Sequence, residues 1–160
     1  MNLNGTFIFN GPRSQVWDLL QDPDVLAKAL PGTERLTRTA DDRLEGTMKV
    51  SVGPMTAAKF DVAVTLKDLV PPEHFAMVID SKGAVGYTRG SATVDLEEQP
   101  GGGTLMRYSS DVQVGGRIAS VGQRLLESVA KMMMKQALDA LERELRGRLQ
   151  SSATSSGGGL

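Results

Sequence analysis

The residue types that most often carry catalysis are scarce in this sequence. His74 is the only histidine and cysteine is absent, which excludes a cysteine nucleophile, a disulfide and a thiolate metal site. A Ser-His-Asp triad would have to use His74, which follows Pro72 and Glu73 at a predicted strand start and is expected on the surface. A metal site would depend on carboxylates alone, and no paired carboxylates fall on a predicted inner row. The sequence therefore predicts neither a catalytic site nor a metal site.

The side chains that the pattern directs inward are instead almost all apolar. Such residues bind an apolar ligand by excluding water and supply no reactive group. We predict that a cavity between the sheet and the C-terminal helix is lined by the residues that share the inward phase: Phe60, Val62, Val64, Met77, Met106, Tyr108, Leu125, Val129, Met132 and Met133.

Two parts of this lining have a simpler interpretation. The methionine run at 132–134 is also typical of an ordinary buried helix, and at about 100° per residue its three members cannot all face inward. The hydroxyl of Tyr108 either has a partner within the core or bonds to a ligand head group.

The glycines Gly83, Gly86 and Gly90 are typical of strand bends, because no helix start follows them to make a phosphate loop.

Composition and charge narrow the class of partner. The formal net charge is -1, the isoelectric point is about 5.8, and only one tryptophan, two tyrosines and four phenylalanines are present. A nucleic-acid-binding protein would need a concentrated basic face and stacking aromatics, so nucleic acid is excluded as the partner. The first residues lack the features of a secretory signal, and no apolar run approaches the roughly 18 residues that span a bilayer. We therefore expect a cytoplasmic protein.

The elements that must position these residues follow from the periodicity. Alternation of apolar and polar residues predicts seven strands, the first of which ends at Gly11-Pro12. Two short helices follow it, and Asp22 is the expected N-cap of the second. After the last strand, Gly115-Gly116 leads into a helix of about 34 residues, predicted over Arg117 to Gln150 and roughly 50 Å long.

This order of elements predicts an α+β helix-grip fold, in which a curved seven-stranded antiparallel sheet wraps around a long C-terminal helix and two short helices follow strand 1. Residues 1–150 are predicted to form one ligand-binding domain. Residues 151–160 contain Ser, Ala, Thr, Gly and one Leu, a composition that cannot bury enough surface to offset its ordering entropy, so they are predicted to be a flexible tail.

Short motifs in a fixed order and spacing carry a family resemblance. They are Val16-Trp17, Asp22-Pro23, Leu30-Pro31-Gly32, Val52-Gly53-Pro54, Pro71-Pro72, the Gly83/Gly86/Gly90 spacing, Tyr108, Val114 to Ala119, and Gly122 to Leu125. In these features residues 1–149 resemble the carbon monoxide dehydrogenase G-subunit family of the START-like superfamily, also called SRPBCC or Bet v 1-like. One departure is Ala29, at a position where such proteins often carry cysteine.

The resemblance implies a non-enzymatic accessory protein of a carbon monoxide dehydrogenase-type molybdenum hydroxylase. Such a protein would carry a lipophilic small molecule, a quinone of the menaquinone or ubiquinone type, or link the enzyme subunits to the membrane. It would have no covalent or metal cofactor. Its place would be the cytoplasm, peripherally on the inner face of the cell membrane.

The charge of the long helix suggests where a membrane or an acidic partner would contact the protein. From 117 to 150 there are seven basic and four acidic residues, and Arg143, Arg146 and Arg148 lie near the end. These three arginines are predicted to meet anionic lipid head groups, with a solvated helix end as the alternative.

The sequence leaves two further functions open. A pure membrane-anchor or assembly module would have a filled core and no ligand. A polyketide cyclase or aromatase-like enzyme would have acid and base groups inside its cavity.

Overall fold

A computed structural model describes the backbone of residues 1–158 and the side chains of residues 1–152. The strands are β1 Asn2–Phe9, β2 Thr33–Ala40, β3 Arg43–Val52, β4 Met55–Val70, β5 His74–Gly83, β6 Gly86–Glu98 and β7 Thr104–Gly115. The helices are α1 Arg13–Gln21, α2 Pro23–Ala29 and α3 Gln123–Gly158, with a 3-10 turn over Arg117–Val121. The predicted order of elements is confirmed.

The seven strands form one sheet in the order β1-β7-β6-β5-β4-β3-β2, and every neighbouring pair is antiparallel. Strands β3 to β7 are joined in sequence by short turns, whereas β1 is separated from β2 by helices α1 and α2. In this order β1 and β2 are the two edge strands. The sheet is curved, and α3 lies across its concave face. This is the predicted helix-grip arrangement.

The two short helices begin where their sequences favour it. Pro12 precedes α1 in an extended conformation. The carboxylate of Asp22 accepts a hydrogen bond from the backbone N–H of Asp24 at 3.0 Å, which caps α2 as predicted. Both helices bury one face, through Val16, Trp17, Leu19, Val25 and Ala29.

The long helix differs from its predicted bounds at both ends. It begins at Gln123 because Gly116 and Gly122 adopt positive φ angles of 84° and 101°, which break helical geometry and confine the residues between them to a 3-10 turn. It continues past Gln150 to Gly158, so the predicted helix end is wrong. The predicted flexibility of residues 151–160 stays a prediction, since their side chains beyond Ser152 and the last two residues lie outside the described part of the chain.

Helix α3 packs against the rest of the protein in its first turns and again from Leu138 onward. In its first turns, the side chain of Leu125 packs so closely on Gly53 that an added Cβ there would lie 2.8 Å from it. Near its other end, Leu145 and Leu149 pack in the same way on Gly11, after β1. Between these points the helix backbone comes close to few residues of the central strands β4 to β7. Between Leu126 and Ala137, in the first half of α3, no side chain is fully buried.

Candidate functional site

The concave face of the sheet contains two packed clusters rather than one continuous core. The basal cluster lies under α1, α2 and the second half of α3, and its buried residues are Phe9, Val16, Trp17, Leu19, Val25, Ala29, Leu66, Phe75, Val94, Leu96, Met106, Leu138, Leu141 and Leu145. The apical cluster lies under the start of α3 and consists of Val52, Ala58, Phe60, Ile118 and Leu126. The two clusters share no buried residue.

A half-buried zone, which we call the central belt, lies between the two clusters. On the sheet it comprises Val62, Val64, Met77, Ile79, Ser81, Thr88, Gly90, Ala92, Ser110 and Val112, and on α3 it comprises Val129, Ala130 and Met133. The helix is buried at Leu126, which is 9% exposed, and again at Ala137, which is 4% exposed, but not between them. Within the belt, Val64 and Met77 pack against the basal cluster and Val62 and Val129 pack against the apical cluster, yet all four stay partly accessible.

Several small residues lie on the sheet side of the central belt. On β6 the inner row runs through Gly90 and Ala92, and Ser110 faces Ala92 from β7. Larger residues occupy the same rows toward the basal cluster, where Val94 pairs with Tyr108 and Leu96 pairs with Met106. The inner surface therefore has its smallest side chains in the zone between the two clusters, where α3 has no fully buried residue.

The predicted lining residues divide among three environments. Phe60 and Met106 are fully packed, the first in the apical and the second in the basal cluster. The half-buried ones are Val62, Val64, Met77, Tyr108, Leu125, Val129 and Met133. Met132 is 52% exposed and faces away from the sheet, so its inclusion in the lining was wrong. A rotation of about 100° per residue separates it from Met133, which does face inward.

Tyr108 lies across β1 rather than over the central belt. Its register partner is Gly5, and a Cβ on Gly5 would fall 2.5 Å from the tyrosine hydroxyl oxygen. The ring thus occupies the surface that glycine leaves free on the edge strand. This position is three inner rows from Ser81 and Thr88, roughly 20 Å along the strands at about 3.4 Å per residue.

Ser81 and Thr88 form a polar pair that sequence reasoning missed. They are direct partners across β5 and β6, and their hydroxyls are hydrogen-bonded to each other. Each has the same phase as the apolar inner residues of its strand, namely Ile79 on β5 and Ala92 on β6. Extending the period-two pattern toward the Gly83–Gly86 turn would have placed both hydroxyls on the inner face.

His74 lies on the outer face, remote from the central belt. Its Nδ1 is 2.7 Å from Oδ1 of Asp95, its register partner on β6, and both side chains are partly exposed. Along the inner rows of β3 to β7, Tyr108 is the only titratable side chain. Among the residues that the structure describes, no group of three His, Cys, Asp or Glu side chains is placed to hold a metal ion.

The three arginines predicted to contact a membrane differ in their partners. Arg146 lies 3.6 Å from Glu142, and Arg148 pairs with Glu144 and with Asp22 of the α1–α2 junction. Arg143 is exposed on the same stretch of α3. Two of the three are therefore engaged in ion pairs within the protein.

Glu142 has a structural role at this end of the helix. It is only 8% exposed, and its carboxylate accepts hydrogen bonds from the backbone N–H and the side-chain Nδ2 of Asn10, the latter at 2.9 Å. These bonds fix the second half of α3 to the end of β1.

Three grooves in the described part of the chain open on the outer face or the rim of the sheet. A groove of about 600 Å³ crosses β3 to β6 and is lined by charged residues such as Arg43, Glu45, Asp80 and Arg89. Within it, a hydrogen bond from Thr39 and the nearby guanidinium groups of Arg43 and Arg35 hold the pKa of the Glu45 carboxyl below its usual value. Two smaller grooves, of about 450 and 250 Å³, also open at the strand rims and outer face. None of the three lies between α3 and the sheet.

Comparison with known proteins adds the family context. The model of the CoxG family, described as the G subunit of carbon monoxide dehydrogenase, matches residues 5–146. The sequence matches no curated protein at a significant level. Within the described residues, no helix combines the length and the apolar character needed to cross a bilayer.

Several solved structures share the fold. A conserved protein from Geobacillus kaustophilus has 26% identity and a TM-score of 0.87, with 92% of this chain and 96% of that chain covered. A START superfamily protein from Mycobacterium smegmatis has 12% identity and a TM-score of 0.69, with 91% and 97% covered. The Zhui aromatase/cyclase from Streptomyces sp. R1128 has 16% identity and a TM-score of 0.70, with 93% and 95% covered.

Proposed function

The chain belongs to the CoxG family of carbon monoxide dehydrogenase, and from that premise we propose that it is a non-enzymatic carrier of a lipophilic, quinone- or lipid-like ligand. The ligand would lie in the central belt, beneath the stretch of α3 between Leu126 and Ala137. The carrier would serve a carbon monoxide dehydrogenase-type molybdenum hydroxylase and would exchange ligand at the membrane surface, bound peripherally on its cytoplasmic side.

One observation carries this proposal: the inner surface is packed at both ends and only half-buried between them. Without a ligand, the folded state would be more stable if these side chains were fully buried. Each Å² of apolar surface that stays accessible loses about 25 cal/mol of stabilisation. A ligand that covered about 300 to 400 Å² of apolar surface would gain roughly 8 to 10 kcal/mol before association costs. Half-buried methionines suit this task, since their flexible side chains adapt to irregular ligands.

The inner surface also disfavours the cyclase alternative. The aromatase/cyclase neighbour shares the fold at 16% identity, which does not extend to its chemistry. An enzyme of this type needs positioned acid and base groups in the cavity. The inner rows of β3 to β7 offer only Tyr108, whose ring is placed over Gly5.

A titration with 2-decyl-1,4-naphthoquinone tests the proposal. Trp17, the only tryptophan, lies in the basal cluster against Phe75, and a quinone bound under α3 should quench its fluorescence. We expect saturable quenching with one site per chain. A pure anchor with a filled core would show only the linear quenching of a free quinone, and that result would contradict the proposal.

A further inference from the structure

The paired hydroxyls of Ser81 and Thr88 stand in an otherwise apolar part of the inner face. Val62 flanks Ser81 from β4, and Val114 flanks Thr88 from β7. Toward the strand ends, Ile118 covers the β5–β6 turn, where its backbone N–H donates to the carbonyl oxygen of Val85 at 2.8 Å. Placing two hydroxyls among such residues costs free energy unless their hydrogen bonds are satisfied.

The hydrogen bonds of this pair leave one donor unused. Each hydroxyl has one proton to donate, and the bond between the two hydroxyls uses one of the two protons. Neither hydroxyl has a second partner among the described residues. Ser110 provides a contrast on the same face, because its hydroxyl donates to the carbonyl oxygen of Leu3 at 3.0 Å. Ser81 and Thr88 are only half-buried on the inner face, so the remaining proton is accessible to a partner from outside the protein.

We propose that Ser81 and Thr88 form the polar anchor of the ligand site and donate one hydrogen bond to a carbonyl oxygen of an otherwise apolar ligand. The inference rests on the proposed carrier function, since it needs a ligand in the central belt. Gly90 follows Thr88 on the inner row of β6 and has no side chain, so the ligand body can continue from the anchor toward Ala92. The carbonyl end thus lies near the β5–β6 turn, and the apolar tail extends toward the basal cluster.

The surroundings favour a neutral carbonyl over a carboxylate. The neighbouring residues Lys82 and Arg89 have the opposite strand phase and are exposed on the outer face, where both line the large outer groove. The inner rows of β3 to β7 carry no Lys or Arg, so an ionised group bound against them would lack a counter-charge from the sheet.

Two matched probes separate the anchor from the belt. 2-Decyl-1,4-naphthoquinone carries two carbonyls, whereas 2-decylnaphthalene has a similar shape and none. The test variant is Ser81→Ala combined with Thr88→Val, because either single variant leaves one hydroxyl with a free proton. The control is Ser109→Ala, which removes a β7 hydroxyl that lies on the outer face and donates to Oδ1 of Asn4 at 3.0 Å. Circular dichroism melting confirms that each variant is folded.

The anchor predicts that the double variant raises the Kd for the naphthoquinone by about 2- to 12-fold, the range for one lost hydrogen bond. The Kd for decylnaphthalene should stay unchanged in the double variant, and the Ser109→Ala control should bind both probes as the wild type does. Equal binding of the naphthoquinone by wild type and double variant would overturn the anchor and leave the carrier function intact. If the double variant binds both probes more weakly by the same factor, the Ser81–Thr88 pair has a structural role only. If the wild type binds neither probe, the carrier function and the anchor fail together.

Discussion

Tryptophan substitutions on α3 test whether the helix faces open space between Leu126 and Ala137. Val129 belongs to the central belt, whereas Ala137, two turns later, is 4% exposed. Ala137→Trp forces a large ring into packed surroundings, and overpacking of this kind costs about 1 to 3 kcal/mol. For a domain of this size that corresponds to a fall in Tm of about 2 to 12 °C. Val129→Trp places the same ring where the belt has room, so we expect a change within about 1 kcal/mol.

The assay is thermal and urea unfolding followed by circular dichroism, on protein from which bound lipid has been extracted. Removal of ligand from all samples is necessary because a bound ligand stabilises the folded state of the wild type and not of an occluded variant. The reasoning predicts that Ala137→Trp is clearly the less stable of the two. If Val129→Trp destabilises the protein as much as Ala137→Trp, the belt is packed and the space under α3 does not exist.

Four further substitutions, one of them a matched control, test other parts of the account. Glu142→Gln should cost about 1 to 3 kcal/mol in urea unfolding, because it disturbs the buried acceptor of the Asn10 hydrogen bonds, whereas Glu144→Gln, at an exposed ion pair, should cost at most about 1 kcal/mol. His74→Ala should leave the Kd for the naphthoquinone unchanged, since the histidine lies on the outer face; a large rise would reopen the enzyme hypothesis. Met132→Gln should alter neither Tm nor ligand binding, because the methionine is exposed, and a loss of binding would mean that the helix faces are assigned wrongly.

The sheet was predictable from sequence because strands with one buried face show period-two alternation. The pattern in β4, where Phe60, Val62 and Val64 alternate with polar neighbours, settles both the strand and its inner face. The two short helices were equally accessible through Pro12 and the Asp22 cap. These features depend on local chemistry and short-range periodicity.

The site was less predictable because it depends on how α3 lies over the sheet. The methionine run indicates a buried helix but not its rotation, so Met132 was assigned to the wrong side. The start of the helix was misplaced because Gly122, which ends the 3-10 turn, resembles a tolerated helix glycine in sequence. Ser81 and Thr88 were overlooked because polar residues beside a hairpin turn are usually solvent-exposed, and only the register shows that their hydroxyls meet.

The central claim is that an apolar ligand occupies the belt beneath the stretch of α3 between Leu126 and Ala137. Organic extraction of the purified protein, followed by mass spectrometry, tests it most directly when wild type, Val129→Trp and Met132→Trp are prepared in parallel. The account predicts a lipophilic compound that bears a carbonyl group in the wild type and in Met132→Trp, where the new ring is exposed, and its loss from Val129→Trp. Absence of any such compound from the wild type, or equal amounts in all three proteins, would contradict the account.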